Sequence, residues 1–154
     1  KILVMASAEF ENVAKDLCNN LYPSKSHKNI NDIKSTILYY YPEFPLIKVS
    51  IPRYMLFVTP WDYWNYSVIH PDWWTEGYNK IKHSRNTHFV RANLKYAINS
   101  MAGLFTCIIL YHQFLNGSLE VEKAEESILF SIPDQTLGSG IQDVKIIHCY
   151  QLPI

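Results

Sequence analysis

From Gly77 to Leu119 the chain contains no Asp or Glu. The same stretch carries Lys80, Lys82, Arg85, Arg91 and Lys95 with His83 and His88, and acidic residues then cluster at Glu120, Glu122, Glu125 and Glu126. The formal net charge of the 154 residues is nonetheless zero, which argues against strong bulk attraction to nucleic acid or to an acidic membrane. Two readings of the acid-free stretch stand side by side: a solvated helix face followed by an acidic turn, or a local anion-binding surface. Other absences narrow the chemistry. There is no Gly-rich phosphate loop, no Ser nucleophile elbow and no paired-Cys signature. The three cysteines, Cys18, Cys107 and Cys149, are odd in number and far apart, and two lie in apolar patterns. They read as buried thiols of a reducing compartment, so a cytoplasmic location is expected. No uninterrupted apolar run approaches the roughly 20 residues of a membrane helix, and no membrane partner is expected. His83 and His88 are five apart with no carboxylate between them, so neither a metal site nor a cofactor is expected.

What is present is a core. Hydrophobic residues make up 48% and aromatics 14%, enough to exclude a disordered segment and to build one domain over residues 1–154. The chain starts at Lys1, already within an apolar helical pattern, so it is expected to belong to a longer protein with a further domain or partner. Leu3, Ala6, Phe10, Val13, Leu17 and Leu21 recur at helical spacing and Pro23 ends them, which predicts an amphipathic helix over 2–21. Asn29 is placed to cap a second helix, about Ile30–Tyr40, stopped by Pro42. Four prolines between Pro42 and Pro60 suit short extended pieces, with a hairpin of Leu46–Ile51 and Tyr54–Thr59 around Pro52-Arg53.

Four tryptophans, Trp61, Trp64, Trp73 and Trp74, fall within fourteen residues. They are expected to fix an irregular loop over the core, the alternative being a base-stacking platform. With Asp72 as N-cap, a helical pattern runs from Trp73 to about Gln113. That length predicts a break near Ser84–Thr87, or alternatively at Gly103, and Asn116-Gly117 ends it. Two paired terminal strands are expected over Ser127–Ile132 and Val144–Leu152. The fold class is therefore mainly α, an antiparallel helical bundle with a small β element, the first helix packing on the one containing Met101, Leu104 and Ile108.

At about 100° per residue, an unbroken helix would align Asn79, His83, Asn86 and Val90 with Ala97, Met101, Leu104 and Ile108. The core stripe would then begin with polar side chains that need partners. His83 reads as a satisfied core histidine or as part of a site. His88, between Arg85 and Arg91, suits a general base or an ordinary surface histidine.

The run Trp73-Trp74-Thr75-Glu76-Gly77-Tyr78-Asn79-Lys80-Ile81-Lys82-His83-Ser84-Arg85, followed by Phe89, Ala92 and the apolar helix to Tyr111, resembles the HEPN superfamily. It is similar to the variants carrying Asn, two residues, Lys-His, one residue and Arg before a long helix. The resemblance implies a helical bundle, commonly a homodimer, in a bacterial defence or toxin-antitoxin-type system, with RNA as partner. It implies a metal-independent endoribonuclease whose Arg-to-His signature is matched nearest by Arg85, polar Asn86 and His88. Two residues separate that Arg and His here, where the family usually has four to six. In this reading a 2′-hydroxyl attacks the adjacent phosphate. His88 accepts the proton, Arg85 and Lys82 stabilise the phosphorane, Asn79, Asn86 and His83 hold the site's shape, and Arg91 adds a binding cation. Glu9 or Glu11 would be the acidic residue of the first helix. The alternatives are a non-catalytic HEPN-like module for dimerisation or for sensing RNA or a nucleotide, and an unrelated helical scaffold.

Overall fold

The computed structural model describes residues 1–66, 69–116 and 129–132, and most of these are helical. Helix α1 spans Ile2–Leu21 and buries Leu3, Ala6, Ser7, Phe10, Ala14, Leu17 and Cys18, the i, i+3, i+4 face that its sequence marks out. Its last turn closes with the Tyr22 N–H donating to the Cys18 carbonyl at 2.9 Å, directly before Pro23. Helix α2, Ile30–Tyr40, starts with a full capping box. The Asn29 side chain accepts from Asn31 and Asp32 N–H groups, and Asp32 accepts from the Asn29 N–H.

Strands β1 (Val49–Ile51) and β2 (Leu56–Val58) pair antiparallel with Val49 opposite Val58 and Ile51 opposite Leu56. They are shorter than expected because a 3-10 turn over Pro52–Tyr54 takes up the connection. On the other side of β1, Ser50 and Ser131 exchange both backbone hydrogen bonds, at 2.6 and 2.9 Å. The expected strand at Ser127–Ile132 is described only over 129–132, and that expected at Val144–Leu152 lies outside the described residues.

After a π-helical turn over Trp73–Asn79 come the short helices α3 (Lys80–His83) and α4 (Arg85–His88), a 3-10 turn over Phe89–Arg91, and the long helix α5, Leu94–Asn116. The expected break is present at Ser84, with a second at Ala92–Asn93, whereas Gly103 lies in uninterrupted helix. A Cβ at Gly103 would lie 3.0 Å from the rings of both Trp61 and Trp73, so the glycine serves close packing, not a kink.

The first and last helices do pack together, as expected, but they run in the same direction. Leu3 and Tyr96 both crowd Gly77, Phe10 and Gly103 flank the Trp61 ring, and the Asn20 amide donates to the Tyr111 hydroxyl at 3.4 Å. An antiparallel relation, which the sequence reading expected of the bundle, does not hold for this pair. The buried face of α5 is Ser100, Ala102, Gly103, Thr106, Cys107, Ile109 and Leu110. Met101, Leu104 and Ile108 sit at its margin, half-buried.

The four tryptophans are core, not a stacking platform. Each is at most 3% exposed. Phe10 is their hub, its ring centroid 4.4 Å from Trp61 and 5.6 Å from Trp74. Three of the four indole N–H groups are satisfied: Trp61 donates to Thr106 Oγ1 at 3.1 Å, Trp73 to the Pro60 carbonyl at 2.9 Å and Trp64 to His70 Nδ1 at 3.2 Å, whereas that of Trp74 is buried with no partner among the described residues. By length and composition α5 is apolar enough to cross a membrane. It is not an unbroken apolar run, because Asn99, Ser100, Thr106 and His112 are spread along it. In this fold one face of it packs against α1 and the tryptophans.

Candidate functional site

The polar segment 79–91 is built as a projecting corner. Upstream, the Pro71 carbonyl accepts from the Trp74 and Thr75 N–H groups at 2.9 and 3.0 Å, opening the wide π-helical turn. Asp72 is itself helical and makes no side-chain cap, so the expected N-cap role falls to the Pro71 carbonyl. Gly77 lets Leu3 and Tyr96 close over this turn, since a Cβ there would lie 3.0 Å from Tyr96 and 3.3 Å from Leu3. The chain turns at Ser84 (φ −151, ψ 64), whose N–H still donates to Lys80 at 2.9 Å. The Ser84 carbonyl then accepts from Thr87 and His88 and so starts the next turn. Asn93 ends the corner and caps α5, its side chain accepting from the Tyr96 N–H at 2.8 Å.

This geometry corrects the expected core stripe. His83 and Asn86 are exposed, Asn79 and His88 are half-buried, and Val90 is 92% exposed. The residue of α3 that enters the core is Ile81. The side chains of Asn79, His83, Asn86 and His88 have no hydrogen-bond partner among the described residues, so the fold does not use them internally. The backbone of Arg85 opens α4, with Asn86 beside it and His88 at its end.

The cations are less free than the sequence suggests, because two glutamates from outside the acid-free stretch reach in. Glu11, on α1, accepts from Lys82 and from the Tyr78 hydroxyl, both at 3.2 Å, and from Lys15 at 2.8 Å. Burial pulls its carboxyl upward, but the hydrogen bonds of Lys15 and Lys82 more than offset this and leave it below the usual carboxylate range. The Lys82 ammonium also lies over the Tyr78 ring, 5.1 Å from its centroid. Tyr78 first and Glu11 second hold Lys82 above its ordinary range. Glu76 is the second anchor. It accepts from Lys80 at 2.6 Å and makes a short contact with Arg91. Lys80, and after it Arg91, lower its carboxyl. Glu76 and Arg91 are fifteen residues apart, so this pair ties the chain beyond the break to the chain before it. Lys95 has no carboxylate partner among the described residues.

The structure thus brings Lys82 together with Glu11 and Tyr78, and Arg91 with Glu76 and Lys80. It leaves His83, Asn86 and His88 on the corner between these two anchors. Glu76 and Tyr78 were not singled out from the sequence. The i, i+4 spacing of Glu76 and Lys80 was a legible signal, whereas the link to Arg91 needed the fold. Among the described residues no three His, Cys, Asp or Glu side chains gather as a metal site would require. Cys18 and Cys107 are buried, which pushes the Cys18 thiol up to about 12 and raises Cys107 as well, so neither is poised as a nucleophile. No family model, curated protein or solved structure matches the chain.

Proposed function

We propose that this chain is a HEPN-like, RNA-directed domain and a candidate metal-independent endoribonuclease of a bacterial defence or toxin-antitoxin-type system, working through the corner around Arg85 and His88. The observation that carries this reading is that His83, Asn86 and His88 lie on the segment between two anchors, Glu11 with Lys82 and Glu76 with Arg91, and have no hydrogen-bond partner among the described residues. A phosphodiester held there meets imidazoles able to move a proton, and cations flank the turn. His88 takes the proton of the attacking 2′-hydroxyl as the O2′–P bond forms, and returns it to the 5′-oxygen as the P–O5′ bond breaks, leaving a 2′,3′-cyclic phosphate and a 5′-hydroxyl; Arg85 and Lys82 stabilise the phosphorane charge, and His83 and Asn86 orient the strand. One copy supplies few such groups, so the working form is a homodimer that sets two corners near each other.

A second reading, a non-catalytic module that senses RNA or a nucleotide for a partner domain, is favoured by the pairing of Lys82 and Arg91 with carboxylates. A phosphate must displace Glu11 or Glu76 to reach those cations fully. Incubation of the purified chain with total RNA in EDTA, beside the Arg85→Ala/His88→Ala variant, separates the two. The ribonuclease reading expects cleavage by the parent chain and none by the variant. Binding without cleavage supports the second reading, and neither binding nor cleavage removes both.

A further inference from the structure

The β1–β2 hairpin carries chemistry that the RNA reading leaves unused. Its inner face belongs to the fold, with Val49 and Ile51 buried against Ala102 and Phe130. Its tip and edge do not. Tyr54, Met55, Leu56 and Phe57 are all exposed, Met55 at 87%. Met55 has φ 51 and ψ 36, a left-handed conformation in which a Cβ is unfavourable and which Gly or Asn usually occupies. A long apolar side chain standing in water at that position gains nothing from intramolecular packing to offset the backbone cost.

The charges of the hairpin and its flanking residues are of one sign. Lys48 and Arg53 are the only charged residues between Glu43 and Asp62. They lie 5.9 Å from the ring centroids of Phe57 and Tyr54 respectively. Neither has a carboxylate partner among the described residues, whereas Lys15, Lys80, Lys82 and Arg91 each do.

We propose that this hairpin docks on an anionic lipid surface, with the apolar tip in the interface and Lys48 and Arg53 against the headgroup phosphates. The aliphatic side chains of Met55 and Leu56 decide against RNA. They offer no π-face and no hydrogen-bonding group, and hydrocarbon is the surrounding that stabilises them. A second copy of the chain is disfavoured, because pairing two β2 edges would bring four uncompensated cations together. Zero net charge is no obstacle, since interfacial binding follows the local apolar area and the local cations. With two cations and a short tip, the attachment is weak and reversible.

Flotation of the 154-residue chain with phosphatidylcholine vesicles, with and without phosphatidylglycerol, tests this. The chain is expected to float with the anionic vesicles only, and less at high salt. Lys48→Ala/Arg53→Ala should weaken partitioning about 25-fold, at roughly fivefold for each cation. Met55→Gly should weaken it roughly tenfold while leaving the melting temperature unchanged or higher, because glycine relieves the left-handed position. That variant separates loss of docking from loss of folding. Failure to float with anionic vesicles, or flotation unaffected by these substitutions, overturns the proposal. So does binding of a single-stranded oligonucleotide through Tyr54 and Phe57 by a chain that ignores vesicles.

Discussion

Glu76 and Arg91 are joined across the break in the chain, and Lys80 shares the same carboxylate. Ser84 and Ala92–Asn93 interrupt the helix on either side of α4, so the corner they enclose has little regular hydrogen bonding of its own. The carboxylate supplies the missing closure. Glu76→Gln should therefore speed amide exchange over residues 84–91 several-fold while barely moving the melting temperature, because the pair is solvent-exposed and such pairs contribute little to global stability. Unchanged exchange would show that backbone geometry alone holds the corner.

Gly103 is the closest approach of α5 to the tryptophans. Gly103→Ala should gain about 1 kcal/mol in helix propensity and lose about 1–3 kcal/mol to overpacking against Trp61 and Trp73. The expected net effect is a lower melting temperature and a blue or red shift of tryptophan emission as the rings move. A higher melting temperature with unchanged emission would contradict the packing described.

Burial separates the effects of α3 substitutions. Ile81→Ala removes a buried side chain and should cost about 2–5 kcal/mol in denaturant unfolding. His83→Ala and Asn86→Ala remove exposed side chains and should leave stability within about 0.5 kcal/mol of the parent. A large loss of stability from His83→Ala would restore the core stripe that the sequence suggested.

Much of the fold was legible because its signals are local. The stripe of α1, the Asn29 cap of α2 and the proline-bounded hairpin each need only a few neighbouring residues; the first two appear where the sequence puts them, and the hairpin appears with shorter strands, Val49–Ile51 and Leu56–Val58. The corner was legible as polar but not in its orientation. Helical phase read through Ser84 and Asn93 accumulates an error of a whole face, which is why His83 and Asn86 were expected in the core and lie in solvent. The neutralisation of Lys82 by Glu11, 71 residues away in sequence, and of Arg91 by Glu76 are tertiary facts that no charge count along the chain reveals.

Two histidines, His27 buried and His70 half-buried, give the fold a sign of pH dependence. His70 accepts from Trp64 at Nδ1 and faces Asn31 through Nε2, while His27 is held between Asn19 and Thr36. Burial first, and then Lys34 for His70 and Lys25 for His27, lowers both below the usual imidazole range. The unfolded chain therefore binds these protons more readily, so the stability is present above the unfolded value of about 6.5 and is lost as pH falls below it. Melting temperature should drop between about pH 7 and pH 5, and His70→Gln should flatten that slope. A parent chain with no slope in this window would refute the account of these sites.

The working form is expected to be a two-fold dimer with the corners of the two protomers near each other. Like charges oppose that approach unless RNA phosphate or the acidic run Glu120–Glu126 compensates. Sedimentation at micromolar concentration should show a dimer, strengthened by oligonucleotide and weakened when Glu122, Glu125 and Glu126 are neutralised. A monomer under every condition would leave the composite site without support.

The central claim is that the corner at 79–91 faces RNA, and fluorescence anisotropy with a labelled single-stranded RNA tests it most directly. Titrations should be run in EDTA on the parent chain and on Arg85→Ala/His88→Ala, His83→Ala/Asn86→Ala and Met55→Gly, with melting temperatures measured alongside. The account predicts that both corner variants weaken binding at least roughly tenfold, a loss on the scale of one or two charge-assisted contacts, with folding intact. Met55→Gly, altered only at the hairpin, should bind RNA as the parent does. Equal affinity of the parent and both corner variants, or no RNA binding by any of them, would contradict it.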